Sequence, residues 1–96
     1  MCTPKEDEVL QKAFRNASAL LELKQETIEE IGKNGQSLLL IRIFLAIFMI
    51  TGGDEKTMKH WLKTDNLHLQ SVPEVLLSDK EGLEKVLQYL ETMARI

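Results

Sequence analysis

The sequence is poor in most of the features that mark catalytic, secreted or nucleic-acid-binding domains. Among 96 residues there is one cysteine, Cys2, so neither a disulfide framework nor a Cys-based zinc site can be built. A reducing compartment, the cytoplasm, is the simplest expectation. Five glycines and two prolines are few for an all-β chain, which must turn every 8–12 residues or so. There is no basic excess. The net charge is −3, made of 6 − 7 = −1 over residues 1–50 and 6 − 8 = −2 over residues 51–96. Neither half offers the cationic stripe with which dedicated DNA or RNA binders displace phosphate counterions. The first eight residues lack an apolar stretch behind a basic one, so no signal peptide is expected there. The longest apolar run, Leu38 to Ile50, is thirteen residues broken by Arg42. A membrane span needs about 20, and a buried helix is the better expectation.

Catalytic signatures are equally scarce. No phosphate-binding glycine loop, dinucleotide fingerprint or nucleophile elbow is present. His60 and His68 are eight residues apart across a helix break, too far for a paired metal-ligand spacing. Thr51-Gly52-Gly53-Asp54 precedes a helix start, where anions can bind, but Asp54 puts a negative charge on that spot. Glu29, Glu30, Glu81 and Glu84 fall on solvated faces with no sign of a buried acid/base pair. These readings predict no catalytic residue, no metal site and no cofactor.

What is present is helical periodicity. Thr3 and Glu6 form a capping box around Pro4 at a first helical position, and Val9, Leu10, Ala13, Phe14, Ala17, Leu20 and Leu21 then recur at 3, 4 spacing. This predicts a helix from about residue 4 to 22. Gln25 to Ile31 predicts a second, closed by Gly32 in the left-handed conformation. Ser37 is the expected cap of a third, Leu38 to Ile50. Asp54 should cap a fourth, carrying Met58, Trp61 and Leu62, and Pro73 should open a single turn through Leu77. Ser78 with Glu81 reads as a second capping box for a last helix bearing Leu83, Val86, Leu87, Leu90, Met93 and Ala94. No segment alternates at period two. The expected fold is an all-α compact bundle of five to six helices, with an N-terminal helical part over 1–50 and a second part over 51–96.

The third helix is apolar almost all round, and such a cylinder has to be covered on every side. A homodimer is therefore expected, with Leu40, Ile43, Phe44, Ile47 and Phe48 at the interface. Upstream, Leu21 to Gly32 reads as the first half of a helix-turn-helix: helix end, polar link, helix, glycine turn. The recognition helix that should follow is missing, since the apolar helix begins five residues later. The same run reads equally as a plain helical hairpin.

From Gly52 to Ala94 the chain resembles a known family. Gly52-Gly53-Asp54-Glu55, His60-Trp61-Leu62-Lys63-Thr64-Asp65-Asn66-Leu67, Val72-Pro73-Glu74-Val75-Leu76-Leu77, Asp79-Lys80-Glu81-Gly82-Leu83 and Tyr89-Leu90 are similar, in order and spacing, to the toxin-binding C-terminal domain of Xre/MbcA/ParS-type antitoxins. The physical reading of four of these positions is structural. Trp61 is a large anchor between helices, Asn66 satisfies loose backbone groups where a helix stops, Pro73 starts a turn, and Gly82 allows close approach of a neighbour.

The resemblance implies an antitoxin of a bacterial type II system, partnered by a toxin encoded beside it, commonly a RES-domain enzyme that consumes NAD. It implies that the last helix and terminus block the toxin's active-site cleft, placing Lys85, Tyr89, Glu91, Thr92, Arg95 and Ile96 at the interface. Two other readings stay open: a DNA-binding repressor of its own operon, acting on operator DNA, and a dimerisation module with no toxin left to bind. No membrane partner is expected.

Overall fold

The computed structural model describes residues 4–95, with side chains from residue 8 onward. The proposed Thr3/Glu6 capping box and Ile96 lie outside the described residues. Six helices follow in order: α1 Pro4–Leu20, α2 Gln25–Lys33, α3 Ser37–Thr51, α4 Glu55–Lys63, α5 Pro73–Leu76 and α6 Lys80–Ala94. Among the described residues there is no strand, only one isolated antiparallel bridge between Asn66 and Ser71. The all-α class read from periodicity is the fold observed. The radius of gyration of 12.8 Å is that of a compact chain of about 100 residues.

Local chemistry sets several helix ends differently from expectation. Gly32 does not close α2; it is helical, and α2 continues to Lys33. The left-handed residue is Gly35, at φ 68°. Gln36 N–H returns to the Ile31 carbonyl at 3.0 Å and Gly35 N–H to that of Gly32 at 3.1 Å, satisfying carbonyls the helix end leaves open. Ser37 is not a cap but the first residue of α3; the cap position is Gln36, whose side chain makes no capping bond. Ser78 does not cap α6. Its hydroxyl donates to Thr27 Oγ1 at 3.3 Å, and the cap is Asp79, whose carboxylate accepts from Gly82 N–H at 2.9 Å. Asp54 caps α4 as expected, accepting from Thr57 N–H at 3.2 Å. Replacing Asp79 by alanine leaves that α6 N–H unanswered and is expected to cost about 1 kcal/mol, read as a lower urea midpoint at unchanged slope.

The core is assembled around α3, whose most extensive contact is with α6 and whose next is with α1. Leu40, Ile43, Ala46 and Ile47 from α3 meet Phe14 and Leu21 from the α1 end, Met58 and Leu62 from α4, and Leu83, Val86 and Leu90 from α6. Each fully buried leucine or isoleucine contributes roughly 1.5–3 kcal/mol relative to exposure. Polar ties close the edges. Gln36 Nε2 donates to the Lys80 carbonyl at 2.9 Å, fixing the start of α3 to the start of α6. Lys63 Nζ donates both to the Glu22 carbonyl at 3.0 Å and to Glu74 at 3.0 Å, a carboxylate that is almost wholly buried. One ammonium thereby joins the α1–α2 link, α4 and α5.

Candidate functional site

The packing of α3 divides its side chains into two sets. Leu40, Ile43 and Ile47, three of the residues expected at a dimer interface, are at most 1% exposed and belong to the chain's own core. They are not available to a second copy. Phe44 is half-buried and stacks at a tilt on Phe48, ring centroids 6.1 Å apart. The outward stripe is Leu38, Leu45, Phe48 and Met49, all exposed, with Ile41 half-buried beside them. At 3, 4 and 7 spacing these lie on one face of the helix. Its one cation, Arg42, is occupied: the guanidinium makes a two-pronged pair with Glu91 of α6, Nη2 to Oε1 at 2.6 Å and Nε to Oε2 at 3.1 Å.

That pair sets Glu91 apart from the other α6 residues expected at an interface. On α6, residues 85, 89 and 92 share a face, while Glu91 is turned about a third of a circle away towards α3. Lys85, Tyr89 and Thr92 come together along an open groove of about 280 Å³, with His68, Leu69 and Gln88 completing its walls. Arg95 stands exposed beyond the helix end in the left-handed conformation, φ 57°, its N–H returning to the carbonyls of Glu91 and Thr92. So Lys85, Tyr89 and Thr92 are brought together, Arg95 follows at the helix end, and Glu91 serves as the strut to α3.

The groove floor is aromatic. Tyr89 stacks with two rings: Trp61 of α4 at 6.3 Å and 16°, and His68 at 5.6 Å and 28°. Trp61 thus bridges α4 and α6 by stacking, a geometry worth about 0.5–1.5 kcal/mol beyond burial. His68 was not singled out by sequence reasoning as a site residue. Its signal, an aromatic-compatible side chain two residues beyond Asn66, acquires meaning only once the 66–71 loop folds back on α6. Asn66 Oδ1 accepts from Leu69 N–H at 3.1 Å, and Asn66 N–H donates to the Ser71 carbonyl at 3.0 Å. Pro73 is buried at the first position of α5. Gly82 is buried where α6 starts against α5, so near that an added methyl would run into the Leu76 carbonyl group.

Chemically the groove is an open, mixed polar and aromatic surface. It offers an ammonium, an amide, a hydroxyl and stacked rings, too open to enclose a small molecule. Among the described residues, no group of three or more His, Cys, Asp or Glu side chains is placed to hold a metal ion. Residues 46–95 match the family model described as the antitoxin Xre/MbcA/ParS C-terminal toxin-binding domain. No curated protein matches the chain at a significant level.

Proposed function

Since the chain belongs to the Xre/MbcA/ParS antitoxin family through its C-terminal toxin-binding domain, and its partner is accordingly a cognate toxin, we propose that it neutralises a RES-type, NAD-consuming toxin by laying the outer face of α6 and the terminus into the toxin's active-site cleft. The observation that carries this reading is the convergence of Lys85, Tyr89 and Thr92 on one open groove inside the matched segment. Arg95, exposed just past the helix, supplies a guanidinium able to occupy the place of a cationic group in an NAD site. Arginine and aromatic side chains also dominate the binding energy of most interfaces. The mode of action is occlusion, without catalysis by this chain, and the compartment is the cytoplasm, where NAD is consumed.

We further propose a homodimer through the outward stripe of α3. The stripe gathers Leu38, Leu45, Phe48 and Met49 on one helix face, and contiguous exposed apolar side chains mark interaction surfaces. The α3 face gives less support to reading DNA, because its single cation is already paired with Glu91.

Co-expression with the product of the adjacent reading frame tests the proposal. The intact chain should restore growth, and removal of residues 91–96 should abolish the rescue. Arg95→Glu, which leaves the helix and the Arg42–Glu91 pair in place, should weaken it as well. Full rescue by both variants would overturn occlusion by the helix end.

A further inference from the structure

Beside the groove, the loop from Asn66 to Ser71 carries an apolar side chain in an unusual setting. Leu67 is 89% exposed, the highest value among the large exposed apolar side chains of the described residues. A lone surface leucine is ordinary. This one, however, stands on a tip whose backbone is held at both ends. The Asn66–Ser71 bridge closes the loop, the Asn66 carboxamide pins Leu69 N–H at 3.1 Å, and the Leu69 side chain is buried as a root. Gln70 sits in the left-handed region at φ 58°, a conformation that costs a non-glycine residue energy and persists where the surroundings impose it. His68, next to Leu67, is stacked on Tyr89.

From this arrangement we infer that Leu67 is a second anchor on the toxin, inserted into an apolar pocket of that protein alongside the groove on α6. The inference rests on the toxin-binding reading above and extends the contact from the last helix to the loop. The tip and the groove are one surface, since His68 and Leu69 line the groove together with Lys85, Gln88, Tyr89 and Thr92. An apolar centre with hydrogen-bonding groups around it is the usual anatomy of a specific protein interface. Here the donors around it on α6 are the Lys85 ammonium and the Gln88 amide, while the Thr92 hydroxyl, whose proton goes to the Gln88 carbonyl at 2.8 Å, is left to accept. The complementary surface is an apolar pocket rimmed by carboxylates or backbone carbonyls. A tip already held in shape loses little freedom on docking, which favours affinity. A second copy of this chain is the poorer occupant. A single leucine between Asn66 and His68 falls far short of the roughly 800 Å² per partner that a stable interface buries, and it lies within the segment matched to the toxin-binding domain.

The test is titration of a catalytically inactive form of the adjacent-frame product with the full chain and its Leu67 variants. Leu67→Asp should weaken binding at least thirtyfold and Leu67→Ala roughly tenfold, as expected for losing one buried leucine contact. Both variants should melt at the wild-type temperature because the side chain touches little within the chain. Wild-type affinity in Leu67→Asp would overturn the inference, as would a variant that changes only the oligomeric state in sedimentation. If the wild-type chain itself does not bind, the toxin reading fails and the role of Leu67 falls with it, whereas equal binding by the wild type and Leu67→Asp overturns the role of Leu67 alone.

Discussion

Truncating Leu40 to alanine should destabilise the protein by about 2–5 kcal/mol, the range for removing a fully buried leucine side chain from a core that cannot collapse around the gap. Leu40 is wholly buried between α3 and its neighbours, so the loss is a property of one folded chain. The unfolding midpoint should fall equally at low and high protein concentration. Leu45→Asp, about 1.4 helical turns further on, is expected to behave in the opposite way. Its side chain is exposed, so the single chain stays folded, while the charge placed in the outward stripe disperses any dimer. Urea melts at two concentrations, with sedimentation of the same samples, separate the two effects. A wild-type monomer at tens of micromolar would end the proposal of a dimer through α3, and an unaffected midpoint in Leu40→Ala would contradict the packing.

Gly82 gives the second large effect, and its sign runs against helix propensity. In an exposed helix interior, glycine to alanine gains up to about 1 kcal/mol. At Gly82 the added methyl would lie 3.1 Å from the Leu76 carbonyl carbon and 3.2 Å from its Cα, and nearer still to the oxygen. That neighbour is backbone of α5, which cannot swing aside as a side chain would. Gly82→Ala should therefore lower stability by about 1–3 kcal/mol, the usual cost of overpacking. Each kcal/mol corresponds to a fall of about 4–8 °C in Tm for a domain of this size. Valine, with two more carbons in the same place, should cost more. A Tm raised by alanine would show that α5 and α6 are not in contact there. Because the Gly82 N–H is also the group that Asp79 caps, the start of the last helix and its seat on α5 are set by the same residue.

These two positions also mark how far the sequence was legible. The helices, their order and the Asp54 cap follow from spacing and capping chemistry, because an amphipathic helix writes its buried side into the chain. Gly82 could be read as a point of close approach, since glycine inside a helix needs a reason. The orientation of α3 could not be read. A helix apolar on every side carries no signal saying which leucines face inward, so Leu40, Ile43 and Ile47 suit a partner as well as the chain's own core that they fill. Gly32 and Gly35 both suit a helix end, and the choice fell to the second because two backbone bonds close only around it. On α6, the resemblance implies Lys85, Tyr89, Glu91 and Thr92 together, and nothing local to the helix separates Glu91 from them, because its partner Arg42 is 49 residues away in sequence. The part of His68 and Leu67 in the site depended on a loop folding back, which local patterns do not encode.

The match to the toxin-binding domain begins at residue 46, nearly two thirds of the way along α3. The helix that lies most extensively against α6 thus starts upstream of the matched segment, and Gln36 ties its first turn to Lys80. The matched segment is consequently not a detachable cassette. A crossover between relatives at the boundary of recognisable similarity would cut through the beam on which the last helix rests, and a chimaera would have to carry the chain from Ser37 onward to keep that seat.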